Sequence, residues 1–187
     1  MKEVLNQTVE VLQRGGIILY PTDTVWGIGC DATNAEAVAR VLELKQRSEA
    51  KGLIVLVDTS ARIDRYVDDV PDIAYDLIDL ATSPLTVVFD RGKNLASNLL
   101  PADGSVAIRV VQHEFCRRLV ERLGRPLVST SANVAGGATP RVLAEVDERI
   151  VRGVDMVVPE QFHCPVSSRP SGVVAVQRGG VVRVIRE

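Results

Sequence analysis

The sequence predicts an α/β fold: strands interleaved with helices in a sheet that mixes parallel and antiparallel pairs. Short apolar runs alternate with amphipathic stretches of helical spacing over most of the chain, the pattern of strands interleaved with helices. The last strands follow one another without helices between them, which implies antiparallel pairs in the same sheet. No repeat, low-complexity tract or linker-like stretch divides the 187 residues, so the chain reads as a single domain over 1–187.

Taken in order, residues 3–14 have the spacing of an amphipathic helix, stopped by Gly15-Gly16. Ile17 to Tyr20 is a short apolar run ended by Pro21, a buried strand feeding a loop. Thr33-Asn34-Ala35-Glu36 reads as a capping box, opening a helix with Val38, Val41 and Leu42 on one face. Leu53 to Val57 is a continuous apolar strand, and Pro71 sits where a first-turn proline would, ahead of Ile73, Leu77, Ile78 and Leu80. Leu85–Phe89 and Ser105–Val111 are strands, and 113–123 is an amphipathic helix closed by Gly124. Leu127-Val128 is a brief strand entering the hydroxyl-rich run 129–133 and a glycine turn. Thr139-Pro140 is expected to open a last long helix, and 154–158, 172–177 and 181–186 to be short strands.

Composition narrows the function classes. The 22 basic and 24 acidic side chains leave a net charge of −2, so any phosphate or nucleic-acid site depends on local clustering of Lys and Arg. Cys30, Cys116 and Cys164 are few and far apart, and no C-x-x-C pair points to zinc or redox chemistry. The expectation is reduced thiols in a cytoplasmic protein. Met1-Lys2-Glu3-Val4-Leu5 enters a helical pattern without the apolar stretch of a signal peptide, and no run approaches membrane-spanning length. There is no G-x-x-x-x-G-K-[ST] loop, no G-x-G-x-x-G opening a helix and no G-x-S-x-G elbow. Neither His113 nor His163 has metal-ligand spacing.

Three constellations remain that could carry chemistry. Pro21-Thr22-Asp23-Thr24-Val25-Trp26-Gly27-Ile28-Gly29 joins hydroxyls, glycines and one aromatic after a strand. It suits a small polar ligand, and equally an ordinary connection with Trp26 as core filler. Lys45 and Arg47 could clamp phosphate, as a point charge and a bidentate fork, or merely complement a helix C-terminus. Ser129-Thr130-Ser131-Ala132-Asn133 lies at a strand's carboxyl end, where open α/β sheets bind ligands, though such runs also cap their own backbone. Arg109 stands inside an apolar strand and needs an anionic partner if it is buried.

Together these segments resemble the YrdC (TsaC) family, the threonylcarbamoyl-AMP synthases. The family's P-T-[ED]-T-x-[YFW]-G-[LI]-G turn is matched by Pro21–Gly29, its K-x-R pair by Lys45 and Arg47, and its P-L-T by Pro84-Leu85-Thr86. Its [VI]-R segment is matched by Ile108-Arg109, and its S-T-S-A-N signature is complete at 129–133. Two segments depart: Ala81-Thr82-Ser83 stands where the family often has W-P-G, and Ser171-Gly172-Val173 where it often has S-T-V.

The resemblance implies a YrdC-like twisted, open mixed sheet flanked by helices, with a concave basic cleft that joins L-threonine, bicarbonate or CO2, and ATP into threonylcarbamoyl-AMP and pyrophosphate, for tRNA modification. It implies Lys45 and Arg47 as the catalytic, phosphate-neutralising pair, with Ser129, Ser131 and Asn133 on the nucleotide. Thr22, Thr24 and Arg109 would hold threonine and its carbamate, with Lys51 and Ser171 as further contacts. Mg2+ would enter through ATP, with no protein metal site. Contact with tRNA or double-stranded RNA, and partner proteins that transfer the threonylcarbamoyl group, belong to the same expectation. Two alternatives stand beside it: an RNA- or ribosome-binding module without chemistry, and a paralogue using carbamoyl phosphate or another acyl substrate. The acidic net charge and 4% aromatic content weigh against the binder.

Overall fold

The structure, a computed structural model, describes residues 1–47, 52–163 and 170–187. Its strands are β1 (Ile18–Tyr20), β2 (Gly27–Gly29), β3 (Ile54–Val57), β4 (Leu85–Phe89), β5 (Val106–Val110), β6 (Leu127–Ser131), β7 (Met156–Val157), β8 (Gly172–Val176) and β9 (Val182–Arg186). The helices are α1 (Lys2–Gln13), α2 (Ala35–Leu44), α3 (Asp72–Asp79), α4 (Glu114–Leu123) and α5 (Glu148–Gly153). The strands form one sheet in the order β7-β1-β2-β6-β3-β5-β4-β8-β9. Pairs β7–β1, β3–β5 and β4–β8 are parallel and the other neighbours antiparallel, so the sheet is mixed as expected.

Strand alternation divides the core between the two faces. Val55 and Val57 of β3, Ile108 of β5 and Val128 of β6 join Ala37, Val38 and Val41 of α2 and Ile150 of α5. Ile18 and Tyr20 of β1, Leu56 of β3 and Leu127 of β6 pack instead on Leu5, Val9 and Leu12 of α1 and on Phe115, Leu119 and Val120 of α4. Arg109 follows Ile108 and so turns to this second face, in register with Leu56 on one side and Thr86 on the other. Helix α4 ends at Gly124 with φ +69°, a left-handed cap that favours glycine.

Three local expectations are corrected. Thr33 does not cap α2; its hydroxyl donates to Asp31, and the Asn34 side chain accepts the Glu36 and Ala37 amides. The Asn34 amide oxygen accepts both N–H groups, while Asp31 draws Thr33 away. No long helix opens at Thr139-Pro140. A 3-10 turn at Leu143–Glu145 runs into extended backbone at Val146, and α5 starts only where Asp147 accepts the Arg149 amide. The hydroxyl-rich run lies at a strand's carboxyl end as expected, with residues 129–131 closing β6 beside β2 and β3. Pro71 stands one residue outside α3, at its N-cap.

Candidate active site

A cavity of about 560 Å3 opens on the sheet, lined from β2, β3, β4, β5, β6, β8 and β9. Its polar lining includes Thr22, Thr24, Arg109, Ser129, Ser131 and Ser171, all expected from the sequence. Its apolar lining includes Val55, Val88, Leu99 and Val173. Residues far apart in sequence meet because adjacent strands bring their side chains onto one face of a continuous sheet.

The hydroxyls are not equivalent. Thr22 Oγ1 donates to the Val25 carbonyl at 2.7 Å and accepts the Thr24 and Val25 amides, so it serves its own loop. Thr24 Oγ1 lies 3.1 Å away and keeps capacity for a ligand. Thr86 and Ser171 share a hydrogen bond of 2.8 Å within the buried wall. The Ser171 carbonyl in turn accepts two N–H groups of Arg186, at 2.9 and 3.2 Å. Gly27 is needed for closeness: a Cβ there would lie 3.1 Å from the Thr22 methyl and 3.3 Å from Ser129 Oγ.

Two buried cations frame the site. Arg109 is 3% exposed and forms an ion pair of 2.9 Å with Asp23, which is fully buried. Its Nε is buried and has no hydrogen-bond partner among the described residues. Lys45 is fully buried and does not line the cavity. Its ammonium donates to the Ser131 carbonyl and, at 2.7 Å, to the Asn133 carbonyl, while its own carbonyl accepts the Ala135 amide. Burial, aided by the Arg47 charge, lowers its pKa to about 8. Lys45 thus ties the end of α2 to the 131–135 segment. Arg47 is half-buried, and its Nη1 lies 3.0 Å from where a Cβ on Gly52 would stand, at the cavity wall.

Asn133 stands outside the lining; its amide braces the turn by donating to the Val134 and Gly137 carbonyls. Lys51 falls outside the described residues, as does Cys164. Cys30 and Cys116 are free and buried, and burial pushes both thiols well up. The basic cleft expected from the sequence narrows, among the described lining residues, to Arg109 and Arg186, with Arg47 beside Gly52. Among the described residues no cluster of His, Cys, Asp or Glu could hold a metal ion. No residue of 81–83 lines the cavity, and a Cβ at Gly172 would meet Leu85 at an ordinary 3.6 Å, so that position has room for a Cβ.

Asp23, Thr86 and Arg186 are site residues that sequence reading did not single out. Asp23 and Thr86 lie inside motifs already noted, and their signal was position within them. Arg186 follows a generic strand pattern and carried no signal.

Comparison with known proteins identifies the fold's relatives. A model of the Sua5/YciO/YrdC family, described as Telomere recombination, matches residues 10–187. The chain is 35% identical over 185 residues to a threonylcarbamoyl-AMP synthase of Pseudoalteromonas translucida, covering 97% of this chain and 98% of that one. It is 36% identical over 182 residues to a protein of the same name from Stutzerimonas stutzeri, covering 96% of each. Among solved structures, Escherichia coli YciO aligns at TM-score 0.84 and 23% identity, over 100% of this chain and 90% of that one. Pyrococcus abyssi Sua5 complexed with L-threonine aligns at 0.79 and 23% identity, over 92% of this chain and 50% of that longer one, a likeness of fold.

Proposed function

This chain belongs to the Sua5/YciO/YrdC family, and on that premise we propose that it is an L-threonylcarbamoyladenylate synthase acting in tRNA modification. The observation that carries the reading is the cavity itself. It presents a buried guanidinium among hydroxyls, with an apolar wall, where the relatives at 35–36% identity bear the synthase name.

In this reading the carboxylate of L-threonine meets Arg109, and Thr24 and Ser171 serve its polar groups. The neutral amine of threonine takes up CO2, supplied from bicarbonate, and loses a proton to give a carbamate. A carbamate oxygen then attacks the α-phosphorus of ATP in line. The new O–P bond forms as the bond to the pyrophosphate oxygen breaks, and pyrophosphate leaves. No protein nucleophile takes part, so the chain contributes position and charge.

Arg47, beside Gly52, would meet the phosphates, and Ser129 and Ser131 the nucleotide from the opposite wall. Lys45 would act on the same wall from behind, by fixing the Ser131 and Asn133 carbonyls; Asn133 holds the turn that follows. No cluster of His, Cys, Asp or Glu among the described residues would hold a metal, and Mg2+ would arrive with ATP. The product adenylate would pass to proteins that transfer its acyl group to tRNA.

The test is pyrophosphate release from ATP and bicarbonate with and without L-threonine, with mass analysis of the nucleotide product. Threonine-dependent release with the mass of threonylcarbamoyl-AMP is expected, and Arg47→Ala should reduce it at least tenfold. Release that ignores threonine, or none at all, rejects the assignment.

A further inference from the structure

Asp23 contributes no atom that the reaction needs, yet it is the most deeply buried carboxylate near the site, with 0% exposure. It lies between Thr22 and Thr24, in the loop that supplies hydroxyls to the cavity. One carboxylate oxygen lies 2.9 Å from Arg109 Nη2, an ion pair by proximity rather than an aligned hydrogen bond among the described residues, and the other accepts the Gln112 amide at 3.5 Å. Among the described residues, the side chains of Tyr20, His113 and Cys116 also feel its charge.

None of these replaces Arg109 as a partner. The ring of His113 has one nitrogen 2.9 Å from the Phe162 carbonyl, and its other nitrogen accepts the Cys116 amide. That is the bonding of a neutral imidazole, and burial lowers its pKa in agreement. Tyr20 and Cys116 stay protonated because burial raises both. Arg109 is therefore the compensating cation for Asp23 among the described residues. Its own register neighbours, Leu56 and Thr86, offer no charge in return.

A guanidinium carries five N–H donors in a planar fork. Asp23 faces one of the terminal nitrogens, and Nε is buried without a hydrogen-bond partner among the described residues, in a side chain that lines the cavity. A side chain held at one corner, with donors left over, is set to receive a second anion in a defined orientation.

We infer that Asp23 is a positioning residue: it fixes the Arg109 guanidinium so that the remaining donors present one geometry to the substrate carboxylate. It also locks the hydroxyl loop to β5, so the threonine hydroxyls and the guanidinium move as one unit. This rests on the reading above that Arg109 takes the carboxylate of threonine.

The hold is measured first on the wild-type protein by nitrogen-15 NMR of the Arg109 side chain. Hindered rotation, with a sharp Nε–H signal and resolved terminal nitrogens, is expected without any ligand. A freely rotating guanidinium overturns the inference, whatever the variants do. Asp23→Asn should broaden that signal and raise the half-saturating L-threonine concentration at least tenfold, while that for ATP moves less than threefold. Asp23→Glu, which keeps the charge, should restore the signal and most of the threonine affinity. In an Arg109→Gln background, adding Asp23→Asn should cost threonine nothing further. Equal losses toward both substrates would reduce Asp23 to a purely structural residue and overturn the inference. Absence of threonine dependence in the wild type would remove the proposed activity, and the guanidinium signals would still decide the role of Asp23.

Discussion

Lys45 and Arg109 are both cations taken out of water, and the molecule stabilises them in opposite ways. Lys45 sits at the end of α2 with two backbone carbonyls, from Ser131 and Asn133, as its acceptors. Arg109 sits mid-strand in β5 with a carboxylate, Asp23, as its partner. Neutral acceptors satisfy hydrogen bonds without returning a full charge, so desolvation dominates and the lysine's proton is loosened. A buried carboxylate returns the charge, and arginine keeps its proton throughout the accessible range. The difference suits the two places. Lys45 needs donors more than charge, since a neutral amine still carries two N–H groups for two carbonyls. Arg109 needs a permanent charge facing a cavity.

The comparison is broken most severely by separating the ion pair. Arg109→Gln leaves Asp23 as an uncompensated buried charge and should cost about 3–5 kcal/mol, read from urea unfolding. Adding Asp23→Asn removes that charge, so the double variant should recover a good part of the loss. A double variant as unstable as the single would show that packing, not charge, sets the effect.

The next effect separates the two cations by pH. The folded-state pKa of Lys45 is depressed to about 8, whereas the unfolded side chain titrates near ~10.4. Between these values the unfolded chain binds more protons, so this group makes stability rise with pH, by roughly 3 kcal/mol in full. The rise should be absent in Lys45→Met. Parallel stability curves for wild type and Lys45→Met across that window would refute the assignment.

The smallest effect is that of Lys45→Met itself near neutral pH. The Asn133 carbonyl loses its ammonium donor, at about 1–3 kcal/mol, while the Ser131 carbonyl keeps the Asn133 amide, and the cost of burying an ammonium is relieved at the same time. The net loss should be about 1–2 kcal/mol, well below that of Arg109→Gln. A larger loss would mean that the 131–135 segment depends on Lys45 more than its hydrogen bonds account for.

The elements most legible in the sequence are those governed by local pattern. The apolar runs that became β3, β4 and β5, and the helix closed by Gly124, follow from period and from one left-handed residue. The elements misread are those where side chains compete for the same backbone groups. Thr33 and Asn34 are both good caps by type, and Asp31 decides between them by accepting the Thr33 hydroxyl. The apolar positions after Pro140 have helical spacing, but Asp147 captures an amide and restarts the helix late. The site shows the same division. Thr24, Ser129 and Arg109 were legible as chemistry in motifs, whereas Arg186 enters the cavity because β9 pairs with β8 at the sheet edge.

By itself, then, the sequence determined the strand and helix succession, the hydroxyl and cation inventory, and the family these motifs mark. Those depend on residue type and on short spacings, which survive in one dimension. Only the tertiary structure decided which charges neutralise each other and which face the cavity. Asp23 and Arg109 meet because the β1–β2 loop lies over β5, and Lys45 turns from cavity to backbone because α2 ends beneath the 131–135 segment. Partner choice for a buried charge is set by distance and desolvation, and neither is a property of the chain until it folds.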